Sequence, residues 1–281
     1  AMGADFVRGR EVVGASDGRL LFAGGQTSAK ADLVIDALGV RSPLARDRLL
    51  PPLDFGALWA NLDWSGPPFD EAALEQRYEA ARKMAGVLPI GRVKAEGPRQ
   101  AAFFWSLKHA DVAAWQARGL EAWKADVLRL WPQTEPLLDQ IRHREQLIFA
   151  AYTHGTLRTP LSREVVHIGD SWHSASPQLG QGANMALLDA LALARGMAAH
   201  REVGAAAEAY KRARLMHIRL YQLASWMFTP AYQSDGRVVA WVRDWLMSPL
   251  SRVWPTPKIL AALVAGSIGS PLTAIEAIGD R

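Results

Sequence analysis

The amino-acid sequence predicts an α/β protein with an inserted α+β layer of antiparallel strands and a helical C-terminal region. Two observations predict the α/β part: strand-like apolar runs at residues 31–38 and 165–168 each end in a glycine turn that enters a helix. A third predicts the insertion, because residues 53–153 alternate with period two in several runs and carry helical patterns between them. We therefore divide the chain into a domain made of two segments, a middle layer and a helical end: residues 1–48 with 154–200, residues 49–153, and residues 201–281.

Composition bounds the class of protein. The chain has 281 residues, 49% of them hydrophobic, which is enough for a large core in one or two domains. The net charge is +4 and the sequence pI is about 9.5, but no cationic cluster has the form of a nucleic-acid-binding arm. The chain has no cysteine, which excludes disulfides, thiolate chemistry and cysteine-based zinc sites. We find neither a signal peptide nor a run of eighteen apolar residues, so we expect a cytoplasmic protein without a spanning helix.

The first 45 residues predict a hairpin and then a buried strand. Residues 6–15 alternate roughly, Asp17-Gly18 is a typical hairpin turn, and residues 19–23 continue as the second strand. The buried strand at residues 31–38 then enters a turn at Gly39 and a short helix.

The middle layer mixes strands and helices. Residues 55–64 alternate as a strand that Pro67-Pro68 ends, and Asp70 then precedes an amphipathic pattern that predicts a capped helix over residues 71–78. The remaining patterns predict further strands at residues 85–90, 101–107 and 146–152, and helices at residues 111–131 and 134–142.

The stretch from residue 165 to residue 197 is the most informative. A short β-branched strand ends in Gly169 and Asp170, a loop containing Pro177 follows, and an apolar helix runs to Met197. Alanine, leucine and methionine occupy every face of that helix, so we expect it to be buried.

The loop in this stretch predicts a ligand of definite chemistry. Gly180 and Gly182 have no Cβ, so the backbone can approach a flat ligand closely. The first-turn amides of a helix lack internal partners and favour negative charge. Asp170 can accept hydrogen bonds from hydroxyl groups. A planar ring with hydroxyl groups and developing negative charge would suit this arrangement.

Residues 169–184 read Gly-Asp-x-x-His-x-x-x-Pro-x-x-Gly-Gln-Gly-x-Asn, which closely resembles the second flavin motif of flavoprotein aromatic hydroxylases of the para-hydroxybenzoate hydroxylase type. The resemblance implies that this is the C-terminal part of a flavin-hydroxylase-type FAD domain, in which Asp170 binds the ribityl chain of FAD. It also implies that the rest of the motif lies beside the isoalloxazine ring: Pro177, Gly180, Gln181, Gly182, Ala183 and Asn184. The alternative is a buried strand-loop-helix whose glycines match by coincidence.

A second motif is incomplete. Residues 38–42 are similar to the family's Asp-Gly-x-Arg-Ser motif at Gly39, Arg41 and Ser42, which implies that Gly39 and Arg41 bind the cofactor. Leu38 stands where the family has the aspartate, and its presence puts unassisted NAD(P)H handling in question. Asp36 lies two residues earlier; it either substitutes in part for that acid or caps the end of the strand.

The family's Gly-x-Gly-x-x-Gly unit, which holds the ADP part of FAD, is absent from the sequence. The resemblance therefore implies that an N-terminal segment or a second chain supplies the ADP-binding unit. The sequence leaves open whether such a segment was cleaved, was truncated or is a separate subunit.

The resemblance implies an FAD-dependent monooxygenase that hydroxylates an aromatic or quinoid small molecule with NAD(P)H and O2. The inserted layer would cover the flavin, with edge segments at residues 58–64 and 102–107. The candidate substrate-pocket residues are aromatic: Trp59, Phe103, Trp105 and Phe149. Each of them could instead be part of the plain core.

Other classes remain open. The seven histidines lack metal-ligand spacing, and no residue is assigned a catalytic role, because a flavin carries the chemistry itself; His173 would shape the loop. A flavin reductase of the same fold and a non-catalytic fragment or partner subunit are the alternatives, whereas the halogenase signature Trp-x-Trp-x-Ile-Pro is absent. Residues 202–228 form one long helical pattern that Pro230 ends. Residues 200–258 carry nine Lys/Arg against four Asp/Glu, which predicts either a helical cap or a membrane-surface face; the aromatic residues interleaved with these charges are Trp226, Phe228, Trp241, Trp245 and Trp254.

Overall fold

The computed structural model describes residues 3–45, 52–162 and 164–279. The strands are β1 (Val12–Ser16), β2 (Arg19–Phe22), β3 (Val34–Asp36), β4 (Pro52–Asp63), β5 (Glu75–Glu79), β6 (Lys83–Arg92), β7 (Arg99–Lys108), β8 (Ile148–Thr153), β9 (Gly155–Thr156), β10 (Leu161–Ser162), β11 (Val165–His167) and β12 (His173–Ser174). The helices are α1 (Val112–Arg118), α2 (Leu120–Leu130), α3 (Glu135–Leu138), α4 (Gly182–Ala199), α5 (Val203–Tyr232), α6 (Arg237–Val242), α7 (Ser248–Leu250), α8 (Thr256–Val264) and α9 (Pro271–Glu276).

The chain forms two compact units. The first combines residues 1–51, 153–225 and 258–281, and the second combines residues 52–152 and 226–257. The second unit contains an antiparallel sheet with the strand order β5-β6-β7-β4-β8. The segments predicted to be edges, residues 58–64 and 102–107, are wrong in that respect, because β4 and β7 pair with each other and lie inside the sheet.

The core of the second unit lies on one face of this sheet. Phe103 from β7 is fully buried and meets Trp123 of α2 edge to face at 6.1 Å. The cluster extends to Trp131 just after α2, to Leu137 within α3 and to Ile141 after α3. Burying side chains of this size contributes roughly 1.5–3 kcal/mol each, so this cluster is the main source of stability of the unit.

The helix predicted over residues 71–78 is wrong. The chain makes a turn in which Asp70 accepts a hydrogen bond from the amide of Ala72 at 2.8 Å, and β5 then begins at Glu75. β5 pairs with β6 over its full length, so ladder hydrogen bonds at the sheet edge override the local helical pattern. Leu74, which the helical reading would bury, is 49% exposed.

Three helical boundaries also differ from the prediction. Gly119, with φ of 84°, divides the helix predicted at residues 111–131 into α1 and α2. α3 covers only four residues of the predicted 134–142. α5 runs past Pro230, the predicted stop, and ends two residues later at Tyr232.

The first unit is built on a small mixed sheet with the order β10-β11-β3, in which β11 and β3 are parallel. The hairpin β1-β2 forms around Asp17-Gly18 as predicted. Helix α4 follows the second parallel strand and packs closely on the start of α5, where a Cβ at Gly196 would lie 2.7 Å from the carbonyl oxygen of Ala206. Gly196 therefore permits this close contact between the helices.

Helix α4 is not buried on every side, contrary to the prediction. Its buried residues lie on one face, among them Leu188, Ala192 and Leu193, while Leu187 is 71% exposed and Leu191 is 43% exposed. An apolar composition therefore overstates how much of a helix is covered when only one face meets the core.

Four tryptophans of the C-terminal region are exposed: Trp226, Trp241, Trp245 and Trp254. This exposure is compatible with both predicted alternatives, a helical cap with a solvated outer side and a membrane-surface face. Among the described residues, no helix combines the length and the apolar content that crossing a membrane requires.

Candidate functional site

The two strands of the predicted α/β core are neighbours. Val34 of β3 lies opposite Val165 of β11, and Asp36 lies opposite His167, in parallel register. This pairing shows that the strands predicted at residues 31–38 and 165–168 lie side by side. The turns after the strands therefore open at the same carboxyl edge, where ligands of α/β sheets bind.

The turn after β11 presents Asp170 to solvent. Gly169 has φ of 58°, and a Cβ there would lie 2.9 Å from the Cβ of Ala186, so glycine is required on both grounds. Ser171 donates a hydrogen bond to the carbonyl oxygen of Asp36 at 2.6 Å, which ties this turn to the neighbouring strand. Asp170 itself is exposed at this edge.

The motif loop, residues 175–184, leads from β12 into α4. Pro177 opens a short 3-10 turn, and Gly180 follows with a left-handed φ of 63°. The first hydrogen bond of α4 runs from the amide of Met185 to the carbonyl of Gln181 at 2.9 Å, so the amides of residues 182–184 precede it. Gly182 and Ala183 are exposed, and a Cβ at Gly182 would meet nothing within 4 Å. The start of the helix therefore offers amide donors beside open space.

Two side chains of the motif, Gln181 and Asn184, are hydrogen-bonded within the protein. The amide group of Asn184 donates to Gln181 Oε1 at 2.8 Å, and Gln181 Nε2 donates to the carbonyl oxygen of Val264. These side chains are committed to the loop and to the end of α8. A contact of Gln181 or Asn184 with a cofactor stays a prediction, and this geometry favours their backbone atoms for it.

The turn after β3 is built around Asp36. This carboxylate is fully buried and accepts hydrogen bonds from Ser42 Oγ at 2.7 Å and from the amide of Leu38 at 2.9 Å, and it contacts His167 Nδ1 at 2.8 Å. Burial raises the pKa of Asp36, but the hydrogen bonds from His167 and Ser42 outweigh it, and the net pKa is lowered. Of the two predicted roles for Asp36, the structure supports the structural cap rather than a contact with a nucleotide.

The other members of this motif are accessible. Gly39 adopts φ of 81° and accepts a hydrogen bond from the amide of Ser42 at 3.0 Å, and Arg41 is exposed next to it. Their assignment to the cofactor stays a prediction.

A buried polar network beneath the motif was not predicted. Asp189 of α4 accepts hydrogen bonds from the amide of Gly169 at 2.9 Å and from Arg214 Nε at 2.8 Å, and it contacts His173 Nε2 at 2.7 Å. Arg214 NH1 contacts His217 Nδ1 at 2.8 Å. Asp189 and Arg214 are both fully buried. The signal in the sequence is a lone carboxylate inside the apolar run of α4, since a buried charge requires a partner.

Charge and burial set the protonation of this network. Burial raises the pKa of Asp189, but the hydrogen bond from His173 and the charges of His173 and Arg214 outweigh it and lower the pKa. Burial, together with the charge of Arg214, lowers the pKa of His217 to about 4. A neutral His217 can accept at Nδ1 from the guanidinium and donate from Nε2 to the carbonyl oxygen of Gly266, 3.1 Å away.

The predicted substrate-pocket residues divide between the two faces of the large sheet. Phe103 and Trp105 belong to the main core, at 0% and 5% exposure, which favours the predicted alternative of plain core residues. Their assignment as pocket walls stays a prediction. Phe149 is partly buried against the same core and is 5.8 Å from the ring of His109. Trp59 lies on the opposite face, because side chains alternate along a strand.

The face that carries Trp59 is aromatic and partly accessible. Trp59 stacks on Phe104 with centroids 4.7 Å apart, and its indole nitrogen donates to the hydroxyl of Tyr152 at 3.3 Å. Burial raises the pKa of Tyr152 to about 12, so this hydroxyl stays protonated at neutral pH. On the same face, Tyr78 donates to Gln76 Oε1 at 2.9 Å. Phe104 was not among the predicted pocket residues, because the run Phe103-Phe104-Trp105 does not itself show which ring lies on the same face as Trp59.

A cavity of about 660 Å³ lies elsewhere in the first unit, between the β1-β2 hairpin and the parallel strands. Its lining includes Val13, Asp17, Val34, Pro43 and Val165. No residue of the motif loop lines this cavity, so the cavity is separate from the candidate flavin site. In the part of the chain that the structure describes, no group of three or more potential metal ligands is found.

Comparisons with known proteins give the fold. No family model matches the sequence, and a search of curated proteins found no match. PqsL of Pseudomonas aeruginosa, described as "a probable FAD-dependent monooxygenase", matches with a TM-score of 0.61 and 20% identity over 84% of this chain and 66% of its own. HpxO of Klebsiella pneumoniae, solved with FAD and uric acid, matches with a TM-score of 0.66 and 19% identity over 94% of this chain and 66% of its own.

A third solved structure, the tetrameric form of 2-methyl-3-hydroxypyridine-5-carboxylic acid oxygenase, matches with a TM-score of 0.61 and 19% identity over 90% of this chain and 69% of its own. The chain thus spans about two thirds of the length of these proteins. Within that span, the chain has the mixed α/β fold of FAD-dependent monooxygenases.

Proposed function

We propose that this chain forms the flavin-ring and substrate part of an FAD-dependent monooxygenase that hydroxylates a small aromatic or quinoid molecule with NAD(P)H and O2. The observation that carries the proposal is the carboxyl edge of β3 and β11, where exposed Asp170 and the open amide end of α4 occur together in this fold. Bound FAD would supply electron transfer and oxygen activation, and the protein would supply position and electrostatics.

The residues at this edge fit the flavin and ribityl part of FAD. The Asp170 carboxylate is an exposed acceptor for ribityl hydroxyl groups. The amides of Gly182 and Ala183 would face the end of the ring where negative charge develops, with the dipole of the 18-residue helix α4 behind them. Pro177 and Gly180 would lie against the ring, with Gly39 and Arg41 at the neighbouring turn toward the pyrophosphate.

The substrate class follows from the aromatic face of the large sheet. Trp59 and Tyr152 present an indole ring, backed by the buried ring of Phe104, and one protonated hydroxyl. These groups suit a planar aromatic or quinoid molecule. Two of the similar structures support that class, since PqsL was solved with 2-aminobenzoylacetate and HpxO with uric acid.

The adenine part of FAD requires residues beyond those assigned above. β3 is at the end of its sheet order, and Ile35 and Leu38 near it are 49% and 52% exposed. We propose that an N-terminal segment or a second chain carrying an ADP-binding unit pairs with this edge, because parallel strands rarely stand uncovered. Leu38 offers no carboxylate to a nicotinamide nucleotide, so that unit would also hold NAD(P)H. A cytoplasmic location and peripheral membrane contact stay predictions.

Flavin titration of two variants, with the ADP-binding unit supplied, tests this function. Asp170→Ala should weaken FAD binding by roughly 1–3 kcal/mol, because two ribityl hydroxyls lose their acceptor. Gly182→Val should abolish flavin binding yet leave the fold intact, since a side chain at this position meets only open space in the protein. The measured quantities are the Kd for FAD and the unfolding midpoint.

Asp32→Ala, at an exposed carboxylate of the same unit outside the motif, serves as the control and should bind FAD like the parent. Unchanged FAD affinity in both motif variants would show that the site is assigned wrongly. A parent protein that stays colourless would favour a non-catalytic partner subunit. A flavin-bound parent that oxidises NAD(P)H without oxygenating aromatic or quinoid molecules would favour a reductase.

A further inference from the structure

Residues 264–266, here called the C-terminal turn, contact the motif loop directly. Gln181 Nε2 donates to the carbonyl oxygen of Val264, and Asn184 donates to Gln181 Oε1 at 2.8 Å. Gly266 has φ of 73°, and a Cβ there would overlap the side-chain amide of Asn184 and lie 2.5 Å from Gln181 Oε1. The turn therefore fits against the loop only because residue 266 has no side chain.

The same turn reaches the other end of the motif through buried side chains. His217 is hydrogen-bonded to the carbonyl oxygen of Gly266 at 3.1 Å, and Arg214 contacts His217 at 2.8 Å. Arg214 is in turn paired with Asp189, which accepts the hydrogen bond from the amide of Gly169 at 2.9 Å. This relay ends one residue before Asp170.

We propose that the C-terminal turn is a clamp that fixes the position of Asp170 relative to the amides of the motif loop. The inference rests on the proposed function for its purpose, since a rigid ligand held at both places requires a fixed separation. Val264, Gly266, Arg214 and His217 act as positioning residues and do not touch the ligand themselves. A clamped loop loses less conformational freedom when it binds than a mobile one.

Hydrogen exchange of the whole chain tests the clamp without any flavin. Gly266→Ala should push the turn away from Gln181 and Asn184. Amides in peptides covering residues 167–172 and 180–186 should then exchange about tenfold faster than in the parent, because both ends of the motif are tied to this turn. The matched control is Gly269→Ala: its φ of 87° is equally left-handed, but the nearest atom to a Cβ there is Leu220 Cδ2 at 3.6 Å.

The exchange rates test whether the C-terminal turn acts as a clamp. Parent-like exchange in both peptides of Gly266→Ala, or equal acceleration in Gly269→Ala, would overturn it. If Gly266→Ala does not fold, Gln181→Ala replaces it, since it removes the link to Val264 without a strained backbone. It should accelerate exchange at residues 180–186 by roughly threefold, and no acceleration there would also overturn the clamp.

A flavin titration then separates the clamp from the function. With the ADP-binding unit supplied, Gly266→Ala should bind FAD about tenfold more weakly than the parent, while Gly269→Ala binds as the parent does. Flavin binding that is equal in all three proteins would contradict the positioning role. A parent without flavin binding would contradict the proposed function, and the exchange data would still decide the clamp.

Discussion

The motif loop and the aromatic face of the large sheet are supported by different forces. A buried ion pair and its hydrogen bonds lie beneath the loop, where Asp189 and Arg214 are both fully buried. An apolar cluster lies beneath the sheet, with Phe103 and Trp123 in contact on the face opposite Trp59. The comparison teaches that backbone groups of a loop require polar support, because their amides must be oriented, whereas a flat wall of rings requires only packing.

The largest expected effect is the loss of stability when the buried Asp189–Arg214 ion pair is broken. Arg214→Met should lower the free energy of unfolding by about 4 kcal/mol, because it leaves the buried Asp189 carboxylate without its cation. Urea unfolding measures this change. Arg219→Met, at an exposed position on the same helix, should change stability by less than about 0.5 kcal/mol. A loss below about 1 kcal/mol for Arg214→Met would mean that water or another group compensates Asp189, and the contrast between the two regions would fail.

The second effect concerns the two faces of the sheet. Phe103→Ala should cost about 3 kcal/mol of unfolding free energy, because it opens a cavity in the main core. Trp59→Ala should cost roughly half as much, since its ring is only half-buried, but it should weaken binding of an aromatic ligand. Equal stability losses, measured by urea unfolding, would show that the faces do not differ. A ligand affinity that Phe103→Ala lowers more than Trp59→Ala would reassign the wall.

The smallest expected effect is a pH dependence of stability in the first unit, which contains the motif loop. The pKa of His217 falls from an ordinary value of about 6.5 to about 4 on folding, so the unfolded chain binds a proton first as pH decreases. The contribution of neutral His217 is complete above pH ~6.5 and is lost as pH falls toward 4; about 2 kcal/mol of unfolding free energy should disappear in this window.

His217→Gln tests this dependence, because glutamine keeps a donor and an acceptor but does not titrate. Unfolding measured from pH 7 to pH 4.5 should show a smaller loss of stability in the variant than in the parent. Parallel curves would mean that His217 does not titrate differently in the folded chain.

The sequence was sufficient for the parts of the fold that local patterns encode. The Gly169–Asn184 motif predicted the turn, the loop and the start of α4, and the two apolar runs predicted the parallel pair β3 and β11. These succeed because glycines, strand periodicity and the start of a helix depend on neighbours in the chain.

Features that depend on distant partners were missed. Arg214 and His217 lie in α5, and their roles depend on hydrogen bonds with Asp189 and Gly266, which are distant in the sequence. The helix predicted at residues 71–78 failed because the edge of β6 offered ladder hydrogen bonds that local propensity does not register. The sequence left open whether Phe103 and Trp105 belong to the core or to a pocket, because alternation gives two faces of a sheet without showing which one the helices cover.

The close contact at Gly196 gives α4 the mechanics of a lever. Fourteen residues separate it from Gly182 at the open end of the same helix, a distance of about 21 Å at 1.5 Å per residue. Because a helix is rigid, a small tilt at its contact with α5 displaces its other end. The direction in which the amides of Gly182 and Ala183 point is therefore set partly by the contact between Gly196 and Ala206 at the other end of α4.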